Sequence, residues 1–137
     1  MSRPEFFVTP GYGERQRKRF GYSQAVKIGD RVEISGQGGW NDAWEFPEAI
    51  TDEIGQAFDN VGRTLAAAGA GWEHVVQVNS YHVGLDRQHR QILAAMTERF
   101  RQHMPHHEPI WTCLGVAALA DPAMRVEIRV TAVVDSS

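Results

Sequence analysis

The residues best suited to acid–base chemistry lie near the C-terminal end of this 137-residue chain, in the segment VEIRVTAV. A strand points alternate side chains to opposite faces, so Glu127 and Arg129 share one face. A carboxylate that becomes partly buried has a raised pKa, which suits a general acid or base. The alternative interpretation is that Glu127 forms an ion pair with Arg129 or Arg31.

The chain contains a single cysteine, Cys113, which excludes an intramolecular disulfide and a four-cysteine zinc site. Because no histidine or lysine adjoins it, the sequence favours a buried, unreactive thiol over a reactive one. Histidines concentrate in HMPHHE at 103–108. This segment lacks the helical HExxH pattern and is interrupted by Pro105, so we predict loop histidines and no bound metal.

Two tryptophans lie in the glycine- and aromatic-rich segment GGWNDAWEF at 38–46. Trp40 and Trp44 could form the walls of a ligand cleft beneath a loop that serves as its lid. An equally good interpretation is that they anchor the loop on the core. The sequence leaves both interpretations open.

Composition limits the function classes. The net charge of −3 opposes a protein that binds nucleic acid mainly through phosphate neutralisation. The one basic cluster, at 15–19, could bind a polyanion, but a solvated loop is the favoured interpretation. Length and 42% hydrophobic residues predict one domain over 1–137. Since we find no membrane-length apolar run and no signal-peptide pattern, we expect a cytoplasmic location.

Periodicity predicts strands, helix, strand, helix and strands. Residues 24–35 indicate a hairpin that turns at Gly29-Asp30, with Val32 and Ile34 on one face. Thr51 is the predicted cap of a helix over 52–68 that Gly69 ends. Its apolar stripe consists of Ile54, Phe58, Val61, Leu65 and Ala68.

A second helix is predicted from a cap at Asp86 to Pro105, with Ile92, Met96 and Phe100 at spacings of four. The final segments, 110–119 and 125–134, are predicted to pair antiparallel. Two helices cover only one face of a sheet. We expect the other face, which we assign to Trp111, Cys113 and Gly115, to meet a partner subunit.

Several short motifs together resemble the Rid family of reactive-intermediate deaminases, also called YjgF-like proteins. The resemblance extends in collinear order from about Tyr22 to Val134 and includes YSQAV at 22–26, ISGQ at 34–37, FDNV at 58–61, AAAG at 66–69 and VEI at 126–128. It implies an α+β, bacterial chorismate-mutase-like fold, with a six-stranded mixed sheet and two helices on one face. It also implies a homotrimer with small-molecule clefts between subunits and no metal or organic cofactor.

The resemblance assigns catalytic roles to Glu127 and Tyr22 and places Gly36 and Cys113 in the cleft. The family's carboxylate-clamping arginine falls on Trp111, and a cleft asparagine falls near Leu93. An indole offers one N–H, whereas a guanidinium offers a planar two-donor fork, so Trp111 cannot replace that clamp. We therefore expect a substrate other than simple 2-imino acids.

Two substrate-binding roles follow from this departure. In the first interpretation, Trp111 forms the floor of a cleft for a larger, flatter substrate, and Trp40 and Trp44 form its walls. In the alternative interpretation, Trp111 fills space at a subunit interface. Arg129, on the same face as Glu127, is a candidate for a displaced clamp; alternatively, it is a surface arginine.

The predicted function is hydrolysis or tautomerisation of an imine or enamine in clefts between subunits. The alternative is a non-catalytic trimer that binds a small molecule or regulates a partner. Endoribonuclease activity is a third possibility, opposed by the net charge and by the lack of a basic, aromatic platform.

Overall fold

A six-stranded mixed sheet forms the centre of the computed structural model, which describes residues 3–134. The strand order is β1-β2-β3-β6-β4-β5, and only β4 and β5 run parallel. The α+β class and the six-stranded mixed sheet are thus confirmed. The strands are β1 Glu5–Phe7, β2 Ala25–Ile28, β3 Arg31–Ile34, β4 Val75–Val83, β5 Ile110–Val116 and β6 Val126–Val133; the helices are α1 Tyr12–Phe20, α2 Ile50–Ala67 and α3 His89–His103.

The predicted hairpin is confirmed as β2 and β3. Gly29 takes the left-handed backbone conformation, with φ of 62°, that the tight turn requires. Val32 and Ile34 are both buried on the core side. The short edge strand β1 was not predicted.

The apolar stripe of α2 is confirmed, since all five of its predicted residues are buried. Thr51 does not cap the helix. The helix begins at Ile50, and the extended Ala49 precedes it and accepts backbone hydrogen bonds from Asp52 and Glu53. Gly69 follows the helix with φ of 79°, as predicted for its end.

Helix α3 begins later than predicted, because Gln88 and not Asp86 precedes its first residue. The backbone N–H groups of Arg87 and Gln88 both donate to Gly84, so residues 84–88 form a turn before the helix. Inside α3, Ile92 and Met96 are buried in the core, as the spacing predicts.

The predicted antiparallel pairing of the last two strands is wrong. Strand β5 pairs with β4 in parallel, and β6 lies between β3 and β4. A helix that crosses from one strand to the next brings the two strands parallel, and α3 connects β4 to β5 in this way. The apolar side of β6 is buried along its whole length, which suits a central strand.

The interpretation of residues 15–19 as a loop is also wrong, and the chain has a third α-helix there. Tyr12 and Gln16, one turn apart, are both buried. Gly21 ends α1 in the left-handed conformation, and its N–H donates to the Arg17 carbonyl at 2.8 Å. The basic side chains in the last turn of α1 interact favourably with the negative, C-terminal end of the helix dipole.

The face assigned to Trp111, Cys113 and Gly115 was wrong. The parallel register places Trp111 beside Val78 and Cys113 beside Ser80, both of which are buried. Trp111 packs edge-on against Phe100 of α3, with ring centroids 5.0 Å apart. These side chains therefore lie on the helix-covered face.

The opposite face of β5 is the open one. Ile110 and Leu114 expose 68% and 47% of their surface there. Apolar exposure of this kind on a sheet is typical of a surface that meets another protein. Among residues 3–134, no helix combines the length and apolarity needed to cross a membrane.

Candidate functional site

A cleft of about 640 Å³ brings together Tyr22, Gly36, Trp40, Trp44 and Glu127. It lies between α1, the segment that follows β3, the turn before β6 and β6 itself. Its volume is typical of sites that enclose drug-sized ligands. Five of the eight predicted site residues thus line one cavity.

Glu127 lies at the sheet side of this cleft. A side chain at Gly36 would collide with the Glu127 carboxylate, so glycine is needed for this close approach. Burial raises the pKa of Glu127 above its ordinary 4.5. Arg31 and Arg129 both approach Glu33 instead, at 2.6 and 3.9 Å, so neither forms the ion pair with Glu127 that the sequence left open.

Tyr22 lines the same cleft as Glu127 and is partly exposed. Burial raises the pKa of the Tyr22 phenol, and the negative charge of Glu127 raises it further. The phenol therefore stays protonated and available as a hydrogen-bond donor at neutral pH.

Trp40 and Trp44 stack with ring centroids 4.2 Å apart. Trp40 is buried and packs edge-on against Tyr12, which anchors the segment in a small second core. Trp44 has φ of 63°, which is uncommon for a residue with a side chain, and its indole donates to Asp121 at 2.8 Å. The two tryptophans thus anchor the loop and also line the cleft.

The turn before β6 is held in place by a buried carboxylate of α2. Glu53 is fully buried and accepts hydrogen bonds from both the backbone N–H and the guanidinium of Arg125, each at 2.7 Å. A buried charge needs such pairing to be tolerated. This contact fixes the neighbouring Met124 and Asp121 at the cleft.

Trp111 and Cys113 do not line this cleft in the same chain. The Trp111 indole donates to the buried Ser80 hydroxyl at 2.9 Å, and that hydroxyl also contacts His82 at 2.9 Å. Burial raises the pKa of the Cys113 thiol. A raised pKa agrees with an unreactive thiol.

Arg129 lies in a neighbouring groove that shares Tyr22 and Ser35 with the cleft. Its guanidinium approaches Glu33 and is half exposed. Within the described part of the chain, no group of three or more His, Cys, Asp or Glu side chains is placed to hold a metal ion.

Sequence reasoning missed two cations of the cleft, Arg15 and Arg19 on α1. The i, i+4 spacing of these arginines was the available signal, but it has meaning only if the segment is helical. It also missed Asp121, whose hydrogen bonds from Trp44 and the Ala123 backbone lower its carboxyl pKa.

The arrangement can transfer protons. It combines a carboxyl group of raised pKa, a phenol, a close backbone approach at Gly36 and aromatic walls. Such a set suits the addition or removal of water at a small polarised double bond.

The chain resembles known proteins over most of its length. The family model described as Endoribonuclease L-PSP matches residues 14–134. The RutC family protein YjgH of Escherichia coli is 34% identical over 111 residues, which cover 81% of each chain. A 2-iminobutanoate/2-iminopropanoate deaminase of Dermatophagoides farinae is 35% identical over 116 residues, covering 83% of this chain and 86% of that protein. The solved structure of protein YJGH superposes with a TM-score of 0.81 and 29% identity, covering 97% of this chain and 98% of that one.

Proposed function

Because the chain belongs to the Endoribonuclease L-PSP family, which includes the YjgF/RidA proteins, we propose that it hydrolyses or tautomerises an imine or enamine at the Glu127 cleft. The observation that carries this proposal is the Glu127 carboxylate, set against Gly36 with a raised pKa beside the Tyr22 phenol. Relatives named 2-iminobutanoate/2-iminopropanoate deaminases support the reaction class.

The reaction needs water and one proton relay. The ionised Glu127 takes a proton from water as the water oxygen bonds to the imine carbon. The carboxyl group then returns this proton to nitrogen, which gives a carbinolamine. The proton of the carbinolamine hydroxyl next passes to nitrogen through the same carboxylate, so that the carbon–nitrogen bond breaks as the carbonyl forms and ammonia leaves. Tyr22 donates a hydrogen bond to the substrate. A group that accepts and returns one proton acts best when its pKa lies near the working pH, which the burial of Glu127 favours.

The proposal includes a shared cleft. Trp111 and Cys113 lie on the helix-covered side of the sheet, whereas Glu127 lies on the other side. They would therefore contribute to a site only from a second copy of the chain. The assembly that we propose, a homotrimer in the cytoplasm with clefts between its subunits, would supply this second copy.

We further propose that the substrate is not a simple 2-imino acid. The arginine that the resemblance leads one to expect at position 111 is a tryptophan whose indole donates to Ser80. The loss of a charged hydrogen bond to a carboxylate costs about 1.5 to 3 kcal/mol of binding. Small 2-imino acids should therefore react slowly.

The test generates imines in situ, 2-imino acids from small and large amino acids with an L-amino-acid oxidase and other imines from amines with an amine oxidase. Their disappearance is followed by semicarbazide trapping. Glu127→Gln, which keeps the shape but removes the titrating proton, should abolish acceleration. Glu33→Gln is the matched control, because Glu33 is a half-buried carboxylate on the neighbouring strand that does not line the cleft. Full activity of Glu127→Gln would overturn the proposal.

Two alternative functions predict different experimental results. Ligand binding without turnover of any imine would make the protein a non-catalytic binding module. RNA cleavage that survives purification from contaminating nucleases and disappears in Glu127→Gln would support the activity that the family description names.

A further inference from the structure

Helix α1 places half of its basic residues at the mouth of the Glu127 cleft. Tyr12 and Gln16 point inward and fix the rotation of the helix. Arg15 and Arg19, separated by four residues, therefore share one side, and both line the cleft. Arg17, on the same helix, does not line it.

Neither of the two cleft arginines forms a close ion pair within the described residues. Arg15 donates to the Asp42 backbone carbonyl at 2.5 Å, which holds its guanidinium against the tryptophan loop. The Arg19 guanidinium lies 5.0 Å from the Phe20 ring centroid. Among residues 3–134, no carboxylate lies within 4 Å of either guanidinium.

The remaining lining has a different character. The walls are aromatic, from Phe20, Tyr22 and Trp44. Glu127 and Asp121 are the acidic groups among the lining residues, and both belong to β6 or the turn before it. The cleft thus combines two cations from α1, aromatic walls and two carboxylates from β6 and the turn before it.

We propose that Arg15 and Arg19 bind an anionic group of the substrate, so that the substrate is an acid larger than a three- or four-carbon 2-imino acid. Resting on the proposed function, this assignment places the C=N bond at Glu127, a flat apolar portion against the aromatic walls, and a carboxylate at the mouth. Guanidinium groups pair with carboxylates through charge-assisted hydrogen bonds. A cleft of about 640 Å³ has room for such a molecule.

The test measures binding by calorimetry, independently of turnover, with 4-phenylbutanoate and its neutral counterpart 4-phenylbutanamide. Wild-type protein should prefer the carboxylate by about tenfold, because it gains charge-assisted hydrogen bonds from two guanidinium groups. Arg19→Ala and Arg15→Ala should each reduce this preference, and the double variant should abolish it. Arg19→Lys should retain part of it.

Arg17→Ala is the matched control, because it removes the same charge from the same helix outside the cleft. It should leave the preference unchanged. Equal binding of the two probes by wild type, an unchanged preference in the double variant, or no carboxylate binding at millimolar concentration would overturn the inference.

The outcomes separate the inference from the proposed reaction. Carboxylate preference without turnover of any imine would leave the inference standing and refute the reaction. Turnover of imines without any carboxylate preference would do the reverse. Where turnover occurs, Arg19→Ala should raise KM for an acidic imine with little change in kcat, since binding and not proton transfer is affected.

Discussion

The Glu127 carboxyl combines exposure to a cleft with a pKa raised by burial. A raised folded-state pKa means that the folded protein binds this proton more tightly than the unfolded chain. The favourable contribution is therefore present below pH 4.5 and is lost as pH rises through the folded-state value. At neutral pH the buried charge opposes folding.

Glu127→Gln is accordingly expected to be more stable than wild type at pH 7, and the difference should vanish below pH 4.5. Chemical denaturation across this range measures it. Asp121→Asn is the control of opposite sign, because hydrogen bonds lower the pKa of Asp121 and stabilise its charged form. A Glu127→Gln protein less stable than wild type at pH 7 would contradict the burial argument.

His82 provides a second residue-scale prediction. Burial lowers its pKa from 6.5 to about 4, so the folded state excludes a proton that the unfolded chain binds. Wild-type stability should fall between pH 6.5 and about 4, by a total of about 3 kcal/mol. His82→Gln, which keeps a hydrogen-bonding group near Ser80, should flatten this part of the stability curve. His106→Gln, at an exposed turn position, should not.

At the scale of elements, the contact between β5 and α3 determines where Trp111 can act. Its ring packs on Phe100, and its N–H satisfies the buried Ser80 hydroxyl. Both contacts stabilise the fold whether or not the indole also meets a substrate. The two interpretations of Trp111 can therefore be separated by a substitution that keeps an aromatic ring, although a smaller one, and removes the N–H donor.

Trp111→Phe should destabilise the chain by about 1 to 2 kcal/mol, because the buried Ser80 oxygen loses its donor. Thermal or urea unfolding measures this. Unchanged imine hydrolysis in the folded variant would identify Trp111 as a packing residue alone, and a changed substrate preference would identify it as part of a cleft. No loss of stability would contradict the hydrogen bond.

At the scale of the whole molecule, the helices cover one side of the sheet and leave Ile110 and Leu114 exposed on the other. We expect three copies of the chain to bury this side. Light scattering should give three times the 15.3 kDa chain mass at micromolar concentration. Leu114→Asp, which places a charge on the open face, should shift the mass towards the monomer.

The same experiment has a control within the chain. Ala94→Asp introduces the same charge at an exposed position of α3, on the helix-covered side of the sheet and away from its open face. It should dissociate the assembly less than Leu114→Asp does. A monomer for the wild-type protein would refute the shared clefts but not the chemistry of Glu127.

Much of the fold could be predicted because it depends on local periodicity. The buried stripe of α2, the hairpin at Gly29 and the alternation along β6 all follow from spacings of two, three or four residues. The wrong predictions concerned which strands pair with each other and which face of a strand packs on a helix. Strand β5 shows the same alternation whether it pairs with β4 or β6, so its sequence does not determine its neighbour or which face its side chains share with α3.

The candidate site divides in the same way. Sequence alone determined that Glu127 occupies the polar side of a strand and that glycine and aromatic residues gather at 36–46. Tertiary structure decided that the Glu127 carboxylate meets Gly36, that Arg15 and Arg19 face the cleft, and that Trp111 does not. The physical reason is that residue type and spacing limit which side chains share a face, whereas strand order and helix docking decide which faces meet.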